Sequence, residues 1–204
     1  MESFHTLTAI AAPLPGANID TDIIFPARFL LITAKRGLRR YAFYEWRYAA
    51  DGAPIAEFVL NRPAYQGAEI LVAGDNFGCG SSREQACWTL RDAGIRAVIS
   101  TSFGEIFRAN CCKNGIVPVT VSPEVLQALL DDAARGEVLT VDLESQVVVR
   151  SNSERIGFLL EGWRREALLN GWDEVDLILN SSTAAIAAHE ARARRASPWL
   201  FEGD

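Results

Sequence analysis

Gly74-Asp75-Asn76-Phe77-Gly78-Cys79-Gly80-Ser81-Ser82-Arg83-Glu84 is the stretch on which the fold of this chain turns. An apolar run of strand type, residues 68–73, leads into it, and a helix-like stretch, residues 85–93, leads out. Ser81 with Glu84, or Ser82 with Gln85, has the spacing of a capping box, which predicts a helix start here. A helix N-terminus presents free N–H groups and partial positive charge, so it favours anions. Arg83 in the first turn would oppose that dipole. An anionic ligand accounts for it better, because a guanidinium grips a carboxylate with two parallel hydrogen bonds. The stretch therefore reads as a carboxylate or phosphate cradle with two hydroxyls. Gly-rich turns with a Ser cap also occur without chemistry, so the local pattern alone leaves function open. Two familiar phosphate motifs are excluded: no Gly-Lys pair follows as in a P-loop, and Arg83 stands where a dinucleotide fingerprint needs its third Gly.

Downstream, the pattern is regular. Residues 95–100 read as a strand, and 102–113 as a helix with a Ser102/Glu105 capping box, closed by Gly115. Residues 116–121 form the next strand. Ser122-Pro123-Glu124 then supplies a cap, a proline at the first helical position and an acid in the first turn. That helix ends near Gly136, and 138–143 and 146–150 form a hairpin around Glu144-Ser145. From Ser153 the pattern is mostly helical, with a break at Gly171. Strands alternating with helices predict an α/β domain with a partly parallel sheet.

Upstream, residues 1–12 suggest an opening strand that Pro13-Leu14-Pro15-Gly16 breaks. Asn18, Asp20 and Asp22 suggest side-chain-to-backbone turns, and Ile23-Ile24-Phe25-Pro26 reads as a buried strand ended by proline. A calcium loop is not completed, since the later ligands are missing. Lys35-Arg36-Gly37-Leu38-Arg39-Arg40 is a dense basic cluster in an acidic chain, either solvated or facing an anion or a partner. The rings of residues 41–48 are too many to be merely exposed, which predicts packing on the core or a second chain.

The whole chain has 204 residues, 49% hydrophobic and 23% charged, as expected for one globular domain. A net charge of −6 disfavours nucleic acid as a partner. Neither a signal peptide nor an apolar run of membrane-spanning length is visible, so the expected compartment is the cytoplasm. Cys79, Cys87, Cys111 and Cys112 lack the spacing of a disulfide framework, a zinc site or an iron–sulfur motif, and buried small hydrophobes are the expected role for most. His5 and His189 sit near the two ends, outside any ligand cluster.

Residues 18–30, the cradle at 74–84, Ser102 to Asn110, and Lys113-Asn114-Gly115 together resemble the 3-isopropylmalate dehydratase small-subunit family of the aconitase superfamily. Phe58 to Asn61, Tyr65-Gln66-Gly67 and Ala188 to Arg192 extend the resemblance over nearly the whole chain. It implies a swivelling β/β/α domain like the aconitase C-terminal domain, with a mixed, partly parallel sheet and flanking helices. It spans 1–204, with a helical segment from about 153. The implied activity is a hydro-lyase of leucine biosynthesis that interconverts 2-isopropylmalate and 3-isopropylmalate. The implied partner is a large subunit, in a heterodimer or heterotetramer, which carries the [4Fe–4S] cluster. No cofactor or metal is expected on this chain.

Position by position, the resemblance makes Ser81 the proton-abstracting base, with Asp22 in a supporting role. It makes Ser82 and Arg83 the holders of substrate carboxylate, and puts Arg28 and residues 35–40 in the segment that recognises substrate. A serine is a poor base in water, but an alkoxide among N–H groups at a dry helix N-terminus becomes workable. One departure stands out. The family usually has His after the Ser-Ser-Arg-Glu run, where this chain has Gln85, and Cys87 stands where Pro is common. That leaves open another malate derivative (methylmalate, dimethylmalate or homoaconitate) or a non-catalytic docking module.

Overall fold

The computed structural model describes residues 1–201. Seven strands, β1 (Thr6–Leu14), β2 (Ile70–Ala73), β3 (Ala97–Ser100), β4 (Val117–Thr120), β5 (Val138–Asp142), β6 (Val147–Val149) and β7 (Arg155–Gly157), form one sheet in the order β4-β3-β2-β1-β5-β6-β7. β1 to β4 are mutually parallel, and β5, β6 and β7 run antiparallel to their neighbours. The sheet is therefore mixed, as the α/β pattern predicts. Helices α1 (Thr21–Ile24), α2 (Tyr44–Arg47), α3 (Glu84–Asp92), α4 (Glu105–Lys113), α5 (Pro123–Ala134), α6 (Gly162–Asn170) and α7 (Glu174–Ala196) accompany it.

Side chains along the central strands alternate between two cores, as the two-residue period of a strand requires. Leu71, Ala73 and Val98 join a cluster with Ala86, Cys87 and Leu90 of α3 and with Ile24, Phe25 and Phe43 of the segment between β1 and β2. Ile70, Val72, Ala97 and Ile99 face the other way, onto Leu126, Leu129 and Ala133 of α5 and Leu168 of α6. Both faces of the parallel half are thus covered, which is why its strands read as continuous apolar runs.

Several boundaries differ from expectation, each for a local reason. β1 does not break at Pro13 but runs to Leu14, with Pro13 opposite Val72. The ladder to β5 stops at Ile10 opposite Val138, so the N–H that proline lacks falls on an unpaired side of the strand. Residues 23–26 are not a strand: Asp20 caps α1 by accepting from the N–H groups of Asp22 (2.9 Å) and Ile23 (2.8 Å). Ile24, Phe25 and Pro26 are buried nonetheless. After the predicted hairpin the chain adds β7, which the helical pattern of the C-terminal segment concealed. α6 ends on Gly171 in the left-handed conformation, φ 70°, and an Asp173/Asp176 capping box starts α7. No helix among the described residues is long and apolar enough to cross a membrane.

Candidate active site

Three loops leave the carboxyl ends of the adjacent parallel strands β1, β2 and β3, where open α/β sheets form their ligand crevices. They carry residues 15–20, 74–83 and 101–104 and are laced together through main-chain bonds. Asn18 N–H donates to the Asp75 carbonyl at 2.8 Å, Gly78 N–H to Ile19 at 2.7 Å and Thr21 N–H to Cys79 at 2.9 Å. On the other side, Phe77 N–H donates to Ser102 (3.1 Å) and Gly104 N–H to Phe77 (2.9 Å). The approach is so close that a Cβ at Gly74 would lie 2.4 Å from the Gly16 carbonyl oxygen. At Gly78, whose φ is +71°, a Cβ would lie 2.2 Å from the Phe107 ring.

Behind the cradle, Asp75 Oδ1 accepts from Ser102 Oγ (2.6 Å) and Thr101 Oγ1 (2.7 Å), and those two hydroxyls hold its carboxyl below the usual range. Ser102 Oγ also accepts from Asn76 N–H at 2.9 Å. The expected Ser102/Glu105 capping box is therefore absent, because Gly104 is the N-cap and makes no side-chain cap bond. The same correction applies to the cradle. α3 begins at Glu84 with Arg83 as its N-cap, φ −124° and ψ 101°, and no side chain caps it. Neither Ser81 nor Ser82 is spent on capping. Both are exposed, and neither hydroxyl bonds to another described residue.

Arg83 is the N-cap residue rather than a first-turn residue, so its charge still sits at the positive end of the dipole, where the Asp22 carboxylate meets it. The guanidinium donates through Nη1 to Asp22 Oδ1, which also accepts from Ala27 N–H at 2.6 Å. That guanidinium, with the Ala27 N–H assisting and the cost of burial opposing, holds Asp22 below the ordinary carboxylate range. Asp22 and Arg83 are thus in contact. Arg28 is not among them. Its Nη2 is 2.8 Å from Glu45 Oε1, and its guanidinium lies 4.8 Å from the centre of the Tyr44 ring. Asp22, Arg28 and Glu45 instead line a shallow cleft of about 360 Å³ beside the cradle. In the basic cluster Leu38 is buried, Lys35 Nζ sits 4.7 Å over the Trp88 ring of α3, and Arg39 N–H donates to Asp92. Of the aromatic run that follows, Phe43 is fully buried and Tyr41, Tyr44 and Tyr48 pack in succession.

Thr21 was not picked out by its residue type. It is buried at 2% exposure, and its hydroxyl donates to the Ser81 carbonyl at 2.8 Å. Its position between Asp20 and Asp22, the latter given a supporting role to Ser81 by the resemblance, is the available signal.

Among the described residues no three His, Cys, Asp or Glu side chains gather as metal ligands. Cys87 and Cys111 are buried with their sulfurs 3.8 Å apart, and burial pushes Cys111 well up and Cys112 to about 12. Cys79 is partly exposed, and burial with the nearby Asp20 charge raises it too.

A mixed sheet with a Gly-rich, Ser-Ser-Arg loop at the carboxyl ends of its parallel strands defines this protein's class: residues 1–124 match the aconitase C-terminal domain family. Two bacterial relatives narrow this further. The chain is 50% identical over 202 residues to a 3-isopropylmalate dehydratase small subunit of Cereibacter sphaeroides, covering 98% of this chain and 100% of that one. It is 52% identical over 201 residues to the protein of that name from Agrobacterium fabrum, again covering 98% and 100%. A crystal structure of 3-isopropylmalate dehydratase from Methanocaldococcus jannaschii superposes with a TM-score of 0.66 at 27% identity, over 91% of this chain and 99% of that one. The chain belongs to the 3-isopropylmalate dehydratase small-subunit family.

Proposed function

We propose that this chain is the small subunit of a hydro-lyase that interconverts 2-isopropylmalate and 3-isopropylmalate in leucine biosynthesis. Residues 1–204 act as one swivelling domain, with a helical C-terminal segment from about 153, on a cytoplasmic large subunit that carries the [4Fe–4S] cluster. The cluster would supply the Lewis acid at the departing hydroxyl; the present chain supplies the base and the carboxylate site. The observation that carries this reading is the meeting of two loops, with Thr21 on the Ser81 carbonyl and Asp22 on Arg83. That contact leaves two free hydroxyls and one oriented guanidinium together at a helix start.

The chemistry follows from those groups. Ser81 Oγ, as an alkoxide, takes the proton from the carbon next to a substrate carboxylate, and the electron pair left behind forms the double bond as hydroxyl departs. Charge builds on that carboxylate meanwhile, so donors fixed in advance lower the barrier. Ser82 and the Arg83 edge not held by Asp22 are those donors. Asp22 orients Arg83, and Arg28, held by Glu45, flanks the entrance.

Anaerobic co-expression with the cognate large subunit, followed by assay of a panel of 2-alkylmalates, tests the reading. Turnover with isopropylmalate preferred is expected. A stable, cluster-loaded complex that turns over none of them would overturn it, and so would full activity of this chain alone.

A further inference from the structure

We infer that Thr21 is the positioning residue of the catalytic loop, fixing the peptide between Ser81 and Ser82 so that one backbone donor faces the substrate; this rests on the function proposed above. Thr21 grips the loop at two points. Its N–H donates to the Cys79 carbonyl at 2.9 Å, and its hydroxyl to the Ser81 carbonyl at 2.8 Å. Gly80 lies between those two carbonyls in the left-handed region, φ +89°, and a Cβ there would lie 3.3 Å from Asp20 Cβ and 3.7 Å from the Thr21 hydroxyl. Gly80, one of three glycines in the loop, is thus clamped on both sides by a single threonine.

Thr21 is itself buried and anchored. It is 2% exposed, it opens α1 directly after the Asp20 cap, and its carbonyl accepts from Phe25 N–H at 3.0 Å. Asp20 pairs with Cys79 as an isolated parallel bridge, so the clamp continues the main-chain lacing of the two loops. Among the described residues, the side chain adds the hydrogen bond that reaches Ser81.

Peptide planarity converts that contact into a direction. No cis peptide occurs among the described residues, and in a trans peptide the C=O of one residue and the N–H of the next point opposite ways. With the Ser81 carbonyl turned inward onto a buried hydroxyl, the Ser82 N–H is turned outward. It donates to no other described residue, and Ser82 is exposed. The outward N–H and the Ser81 side chain then flank the same place, where charge would develop in the reaction. Without the Thr21 hydroxyl this peptide is free to rotate, and the N–H leaves its aim.

The test uses the complex reconstituted with the large subunit and compares Thr21→Val, which keeps the shape and removes the hydroxyl, with Thr21→Ser, which keeps the hydroxyl. Thr21→Val should lower kcat on the order of 100-fold with KM little changed, as expected for a misplaced reacting group. Thr21→Ser should restore most of the rate. Should the valine variant fail to fold, Thr21→Ala set against Thr21→Ser gives the same comparison. Ser81→Ala is run alongside. If it abolishes turnover while Thr21→Val keeps wild-type kcat, the positioning role is overturned and the serine reading stands. Equal impairment of Thr21→Ser and Thr21→Val would also overturn it, since the hydroxyl would then be irrelevant. If Ser81→Ala retains activity, the underlying reading fails first.

Discussion

Arg83 donates to the carboxylate of Asp22, 61 residues earlier in the chain, across the seam between the loops that follow β1 and β2. The Asp22 side chain is 54% exposed and that of Arg83 15% exposed, so the pair is anchored from the arginine side. Exposed pairs contribute at most about 1 kcal/mol to stability, so orientation is the larger consequence. Asp22→Asn should leave the melting temperature nearly unchanged and weaken substrate binding, seen as a raised KM in the reconstituted complex. Because Arg83 holds the Asp22 carboxyl low, the pair persists above the ordinary carboxylate pKa of about 4 and is lost as pH falls through the lowered value. The KM of the wild type should therefore rise in acid, and that of Asp22→Asn should not share this component.

The loop lacing makes a prediction about backbone. Gly78→Ala combines left-handed strain with a clash on the Phe107 ring, and should cost roughly 2–4 kcal/mol. Gly94 is also left-handed, φ +98°, but a Cβ there meets nothing within 4 Å. Gly94→Ala should cost only about 1–2 kcal/mol of conformational strain. Urea unfolding of the two variants separates the clash from the strain.

Away from the cradle, Asp132 is buried at the end of α5 and accepts from Arg150 Nε (2.5 Å) and Nη2 (2.9 Å), and from Arg135. Arg150 keeps Glu154 as a second partner at 2.6 Å, so Asp132→Ala should cost about 3 kcal/mol, the lower end for a broken buried pair. The hydrogen bonds from Arg150, against the cost of burial, hold the Asp132 carboxyl low. Its contribution is present above the unfolded pKa of about 4 and fades as pH falls through the lowered folded value. Equilibrium unfolding from pH 7 to pH 3 should show less acid loss in Asp132→Asn than in the wild type.

Thiol reactivity should follow burial. Cys111 and Cys112 carry raised pKa values from burial and should resist iodoacetamide at pH 8 until the chain unfolds, whereas the partly exposed Cys79 should label slowly in the native protein. Mass spectrometry before and after denaturation checks the order.

Regular periodicity made the parallel half of the sheet legible: strands at 68–73, 95–100 and 116–121 each contain an observed strand, because their two buried faces write continuous apolar runs. What misled was local polarity. The serines at 81, 82 and 102 have capping spacing but do not cap: Ser102 bonds Asp75, and Ser81 and Ser82 stay free because Arg83 takes the N-cap. Propensity at 13–16 suggested a break that the absence of a strand partner on one side made unnecessary. At the candidate site the residue types of Asp22, Ser81, Ser82 and Arg83 were readable, but their contacts were not. The Thr21 clamp depends on a loop-to-loop approach that no local spacing encodes, and the Glu45 contact that draws Arg28 away lies in a segment whose turns are equally non-local.

The central claim is that Ser81 removes the substrate proton, and isotope exchange reads that step directly. The reconstituted complex is incubated with 3-isopropylmalate in deuterated buffer, and label at the carbon beside the carboxylate is followed by mass spectrometry. The wild type should incorporate deuterium, whereas Ser81→Ala, still assembled and still binding substrate, should incorporate none above the uncatalysed rate. Exchange in Ser81→Ala at the wild-type rate would contradict the account and assign the base elsewhere.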